Sequence, residues 1–155
     1  MKVEIRTCLW RDLKRLTKLS PDSAKILSQY EGYRDLDLSG LMELADDAAE
    51  SLSTYKGKIL LNGLTKLSNA GAESLSKHEE SLELSGLTEL SDAAAEALSK
   101  HEGDLYLNGL KELSDKAAKF ISKHKDPISL NGLRELSAVA AKSLAKRTRR
   151  LDLQG

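Results

Sequence analysis

Leu82-Glu83-Leu84-Ser85-Gly86-Leu87-Thr88-Glu89-Leu90-Ser91 and Ile128-Ser129-Leu130-Asn131-Gly132-Leu133-Arg134-Glu135-Leu136-Ser137 carry one pattern. The pattern opens every 23 residues, at Leu36, Ile59, Leu82, Leu105 and Ile128, and once more at Leu151. A period of about 20 to 29 residues is the mark of a stacked solenoid, in which each unit buries its apolar face only against its neighbours. The opening apolar-polar-apolar triplet has the period of two of a strand with one buried face. Gly40, Gly63, Gly86, Gly109, Gly132 and Gly155 hold the fifth position of every copy. A glycine fixed there implies either a turn with positive φ or a close approach of backbone.

The second half of the unit reads as a helix. Ser68, Ser91, Ser114 and Ser137 follow the second leucine of the turn segment and are N-cap residues. Asn69, Asp92 and Asp115 place polar or negative groups in the first turn, where the helix dipole favours them. Apolar residues then recur every three to four positions, predicting about three turns through Ala94, Ala95 and Leu98 to about His101. Ala49, Ala72, Ala95, Ala118 and Ala141 keep the fourteenth position small, which lets the helices lie close. Gly57 and Gly103 read as helix stops. A unit of 23 residues is too short for two helices and their loops, which excludes the usual all-helical repeats.

The expected fold is therefore an α/β solenoid of about seven short parallel strands, each followed by a helix. Residues 1–35 read as an N-terminal cap containing a degenerate repeat. In that copy Leu16, Leu19, Ala24 and Leu27 keep register, while Arg15 stands in the place of the turn glycine. Ser20-Pro21 starts its helix, and the alternation of Val3 and Ile5 predicts a capping strand. Residues 36–155 hold five full repeats and the partial sixth.

On these residues the chain resembles leucine-rich repeat proteins, specifically bacterial ones with 23-residue units reading L-x-L-x-G-L-x-x-L-S-D-x-A-A-x-x-L. It departs from the commonest pattern by placing Leu41, Leu64, Leu87, Leu110 and Leu133 where an asparagine usually follows the strand, so the buried asparagine ladder of that pattern is not expected. The resemblance implies short parallel strands on a concave face, helices on a convex face, and a role in binding proteins.

Composition narrows the function classes. No apolar run approaches the roughly 20 residues of a membrane span, and no secretory leader is read in the first 20 residues. Cys8 is the sole cysteine, which fits a reducing, cytoplasmic setting. It has no nearby acid-base partner and reads as a packed thiol, not a nucleophile. His78, His101 and His124 share position twenty and stack into one column. That column also accepts Tyr55 and Arg147, and no carboxylate or cysteine recurs with ligand spacing, so packing is favoured over a metal site. No phosphate-binding glycine loop is present. The reading is non-enzymatic, with no cofactor and no membrane partner.

Net charge is zero, but it is unevenly placed. Residues 36–104 hold 5 Lys/Arg against 14 Asp/Glu, whereas residues 105–155 hold 11 against 5. The basic stretch Lys142, Lys146, Arg147, Arg149 and Arg150 lacks interleaved aromatics, which ranks nucleic acid below a protein partner. Columns that vary between copies are free to serve a ligand. The outward strand column reads Asp37, Leu60, Glu83, Tyr106, Ser129, Asp152, and the residue before each strand includes Asp104. Asp37, Leu60, Glu83, Tyr106, Asp104 and Ser129 are the candidate contacts for a protein or peptide. The alternative is a structural or assembly segment of a larger protein, acting through its ends and convex helices, with end-to-end self-association.

Overall fold

The computed structural model describes residues 12–30, 34–147 and 149–153. The expected capping strand around Val3 and Ile5, together with Cys8, lies outside the described residues. The chain runs α1 (Pro21–Ser28), β1 (Leu36–Asp37), α2 (Asp46–Leu52), β2 (Ile59–Leu60), α3 (Asn69–Leu75), β3 (Leu82–Glu83) and α4 (Asp92–Leu98). It continues through β4 (Leu105–Tyr106), α5 (Asp115–Ile121), β5 (Ile128–Ser129), α6 (Ala138–Leu144) and β6 (Leu151–Asp152). The strands form one parallel sheet in sequence order, each residue pairing with the residue 23 positions later. This is a repeat solenoid in which each helix packs on the next. The strands number six among the described residues, against the seven expected. Asp12 and Leu13, in the strand position of the degenerate copy, are helical.

The core is a ladder of identical layers. Leu36, Leu38, Leu41, Ala48, Ala49 and Leu52 are fully buried in the first regular unit, and their counterparts repeat through the stack. Leu90 is only partly buried, although the pattern places it inside with Leu87. Ala49, Ala72, Ala95 and Ala118 are inaccessible because the next helix lies over them, whereas Ala141 in α6 is exposed.

Curvature follows from two spacings. Strands pack about 4.8 Å apart, while helices need about 8–10 Å. The ring column between them repeats at 6.2 and 6.0 Å. The sheet is therefore the short, concave side and the helices the convex side.

Two local expectations are corrected. The unit glycine needs no positive φ; among the described residues only Gly57 and Gly103 have one, at +148° and +113°. The turn is closed by the sixth-position N–H donating to the third-position carbonyl, as Leu87 does to Leu84 at 3.1 Å. Glycine is required there because a Cβ on Gly86 would lie 2.1 Å from the Asn62 carbonyl oxygen. The degenerate copy keeps the same approach, since a Cβ on Gly40 would lie 2.3 Å from the Lys14 carbonyl oxygen. The second correction concerns the helices, which span seven residues in each regular unit, two turns and not three. Gly57 and Gly103 lie beyond the helix caps Ser53 and Ser99, in the loop into the next strand.

Candidate binding surface

The outward side chains of β1 to β6 and the residues before each strand form one surface on the concave side. Strand alternation puts Leu36, Ile59, Leu82 and Leu105 inside and Asp37, Leu60, Glu83 and Tyr106 outside, each of the latter half-buried. Ser129 departs from that reading. It is 5 % exposed, and its hydroxyl donates to Asn108 Oδ1 at 2.6 Å. Ser129 thus belongs to the scaffold and is withdrawn from the contact set.

Four side chains at the centre hold one another. Lys58 forms an ion pair with Glu83, and its ammonium lies 5.2 Å from the Tyr106 ring centroid. Asn62 Nδ2 donates to Glu83 Oε2 at 2.8 Å. Burial raises the Glu83 carboxyl, but the Lys58 and Asn62 hydrogen bonds outweigh it and leave the pKa lowered. Burial likewise opposes the charge of Lys58, and Glu83 outweighs that effect and raises its pKa. Both groups therefore stay charged and paired at neutral pH. Tyr106 donates weakly to Asp104 Oδ2 at 3.4 Å, and Asp37 Oδ1 accepts from the Ser39 N–H at 3.0 Å. Leu60 stands beside this cluster as its apolar neighbour, since Leu60 and Glu83 are register partners.

An amide network under this surface was missed by sequence reasoning. Asn62 Oδ1 accepts from the Ser85 N–H, and Asn108 Oδ1 from the Asn131 N–H, both at 3.0 Å across one repeat. Asn108 Nδ2 reaches back to Ser85 Oγ at 3.3 Å. Asparagines therefore do link repeats here, from the position before the glycine. The run Ser39, Asn62, Ser85, Asn108, Asn131 carried the signal, because amides and hydroxyls in a stacked column can bond along it.

The histidine column lies elsewhere, between helix ends and strands. His78, His101 and His124 are 1–3 % exposed and their rings stack nearly parallel. Tyr55 begins the column and donates to the Arg34 carbonyl at 2.6 Å. His124 Nε2 lies 3.1 Å from the Gly103 carbonyl oxygen. Arg147 closes the column, donating to the carbonyls of Ile121, His124 and Asp126 at 3.0, 2.8 and 2.7 Å. Both ring nitrogens of His78 and His101 are buried without a hydrogen-bond partner. Nearby backbone favours the charged form of His78 without reaching hydrogen-bond geometry, and burial prevails, so its pKa is lowered. Among the described residues no three His, Cys, Asp or Glu side chains are placed to hold a metal ion.

A cavity of about 500 Å³ sits at the helix C-terminal edge, lined in part by Lys123, Lys125, Lys146, Arg147 and Arg149. None of the candidate contacts on the sheet lines it. Among the described residues no helix is long and apolar enough to cross a membrane. No protein-family model, curated protein or solved structure matches the chain.

Proposed function

We propose that the chain is a non-enzymatic binding module that presents its concave sheet to a protein or peptide, and that its units are leucine-rich repeats of the bacterial 23-residue kind. The observation that carries this reading is the Lys58–Glu83–Asn62–Tyr106 cluster. Its members lie on or beside three successive strands, β2 to β4, in columns whose identity changes from copy to copy, and they are held in one arrangement before any partner arrives. Pre-organised contacts lose little entropy on binding. Tyr106 and Leu60 supply an apolar centre, and Asp37 and Asp104 supply an acidic rim. A partner with a basic or mixed rim around an apolar centre fits that surface.

The test is selection of peptide ligands against the intact chain, followed by titration of the winners against two variants. Tyr106→Ala should weaken binding by about 1–2 kcal/mol, the range of an interface anchor. Asp104→Lys should chiefly slow association. Ligands indifferent to Tyr106→Ala and Leu60→Ala together would remove the concave face from consideration.

A further inference from the structure

Position twenty of the unit carries an uncharged ring in four copies, Tyr55, His78, His101 and His124, and a fixed charge only in the fifth, Arg147. Packing does not ask for that charge, since burial opposes it and lowers its pKa. Among the described residues the guanidinium has no carboxylate within ion-pair distance. Its three hydrogen bonds go to the carbonyls of Ile121, His124 and Asp126. The Asp126 carboxylate accepts instead from the Gly103 N–H at 3.1 Å.

Arg147 lines the cavity of about 500 Å³ at the helix C-terminal edge. Lys123 and Lys125 reach it from the preceding coil, and Lys146 and Arg149 stand beside Arg147, all four exposed. Among the described residues none of these four forms an ion pair. Lys123 lies 5.5 Å from the Phe120 ring centroid, a contact that holds the ammonium without neutralising it. Glu102 and Asp126 are the acidic groups of the lining. Five cations thus face two carboxylates, and three positive charges are left over. A helix C-terminus ordinarily repels an anion, but Arg147 covers the Ile121 and His124 carbonyls at the end of α5.

We propose that this cavity binds a small molecule carrying two phosphoryl groups. Charge sets the number, because one phosphoryl group carries about −1.5 to −2 at neutral pH and two are needed to answer three positive charges. The volume lies within the range of small-molecule sites, about 300–1,000 Å³. The cations come from two successive coils, so two anionic groups can each find their own set. A long polyanion is disfavoured because the positive field stops within one coil. In the adjoining cavity of about 320 Å³, Lys100, Lys123 and Lys125 already face Glu96 and Glu102. One coil further along the same edge Lys77 stands with Glu79 and Glu80. None of these residues belongs to the concave surface, so the site is independent of what binds there.

Amide NMR of the full chain, titrated with pyrophosphate at about 50 mM salt, tests the site. Saturable shifts are expected in residues 122–126 and 146–149, with a Kd below about 100 μM. Inorganic phosphate should move the same amides at least about tenfold more weakly. Lys123→Gln with Lys146→Gln should raise the pyrophosphate Kd at least about tenfold, as expected for lost charge-assisted hydrogen bonds. Both side chains are exposed, so the Tm should hold. Arg147→Gln should weaken binding too, but it also uncaps α5, so Arg149→Gln serves as the second variant. Lys77→Gln with Lys100→Gln, in the same column two and one coils away, should leave the Kd within about twofold. Equal losses in the two lysine pairs, or no saturation by about 1 mM pyrophosphate, overturn the proposal. So does a short single-stranded oligonucleotide that binds more tightly than pyrophosphate and shifts residues 77–80 as well, which would make the edge a nucleic-acid surface.

Discussion

A single methyl group separates the glycine column from every other position in the unit. At Gly86 the added Cβ would lie 2.1 Å from one carbonyl oxygen of the preceding repeat and 2.6 Å from another. Backbone cannot yield there without breaking register with the sheet, whose strands bond only through short pairs. Gly86→Ala should therefore destabilise by about 2–3 kcal/mol, the upper range for overpacking. Thr65→Ala, at an exposed loop position, should stay within about 0.5 kcal/mol. Chemical denaturation of both variants checks this, and equal midpoints would mean the turn relaxes freely. The glycine column was plain in the sequence, but its cause was not. Positive φ and close approach predict the same residue, and only the neighbouring repeat's carbonyls distinguish them. Ser129 was misread for a related reason. Its outward position was legible, but the Asn108 side chain engaging it from the preceding repeat was not.

In α3 to α6 the N-cap serine serves two units at once. Ser114 accepts from the Ala117 N–H at 2.9 Å and donates to Asp92 Oδ1 of the preceding helix at 2.6 Å. Ser91 does the same between the Ala94 N–H and Asn69, and Ser68 and Ser137 donate to Asp46 and Asp115. The N-cap serines and the first-turn Asp and Asn side chains are thus one hydrogen-bonded ladder along the convex rim. Ser114→Ala should lose about 1–2 kcal/mol, a normal cap loss. Combined with Asp92→Ala it should show a coupling of about 0.5–1 kcal/mol. Strict additivity in that double-mutant cycle would reduce the ladder to independent caps. Sequence periodicity exposed each cap, because the cap acts inside its own unit. It could not expose the ladder, which exists only once units are stacked. Helix length failed for a different reason. Apolar spacing continues to His101, but the chain tightens after Leu98 into bonds of three-residue span, with the His101 N–H on the Leu98 carbonyl at 3.1 Å. Periodicity records burial, and a turn that points a ring inward is buried too.

Across the whole molecule, the column from Tyr55 to Arg147 ties five loops into one file and makes stability depend on pH. Burial, reinforced by the neighbouring His124 and His78, lowers the pKa of His101 from 6.5 to about 4. His124 is lowered by burial and by the Arg147 charge, and His78 by burial. The folded column is therefore neutral where the unfolded chain already binds protons. Stability is then fully present above about pH 6.5, falls as pH drops through the window, and levels off below about pH 4. For His101 alone the loss between pH 7 and pH 5 is about 2 kcal/mol, with His78 and His124 adding in the same direction. Glu83, whose pKa is lowered, loses stability only at lower pH, as it protonates below its ordinary 4.5. The two contributions thus separate along the pH axis. His101→Phe keeps a ring in the stack and removes the titration, so its unfolding free energy should fall less steeply between pH 7 and pH 5 than that of the native chain. Parallel pH profiles for the two proteins would show that His101 protonates without penalty, and that the file is open to water in a way its 2 % exposure denies.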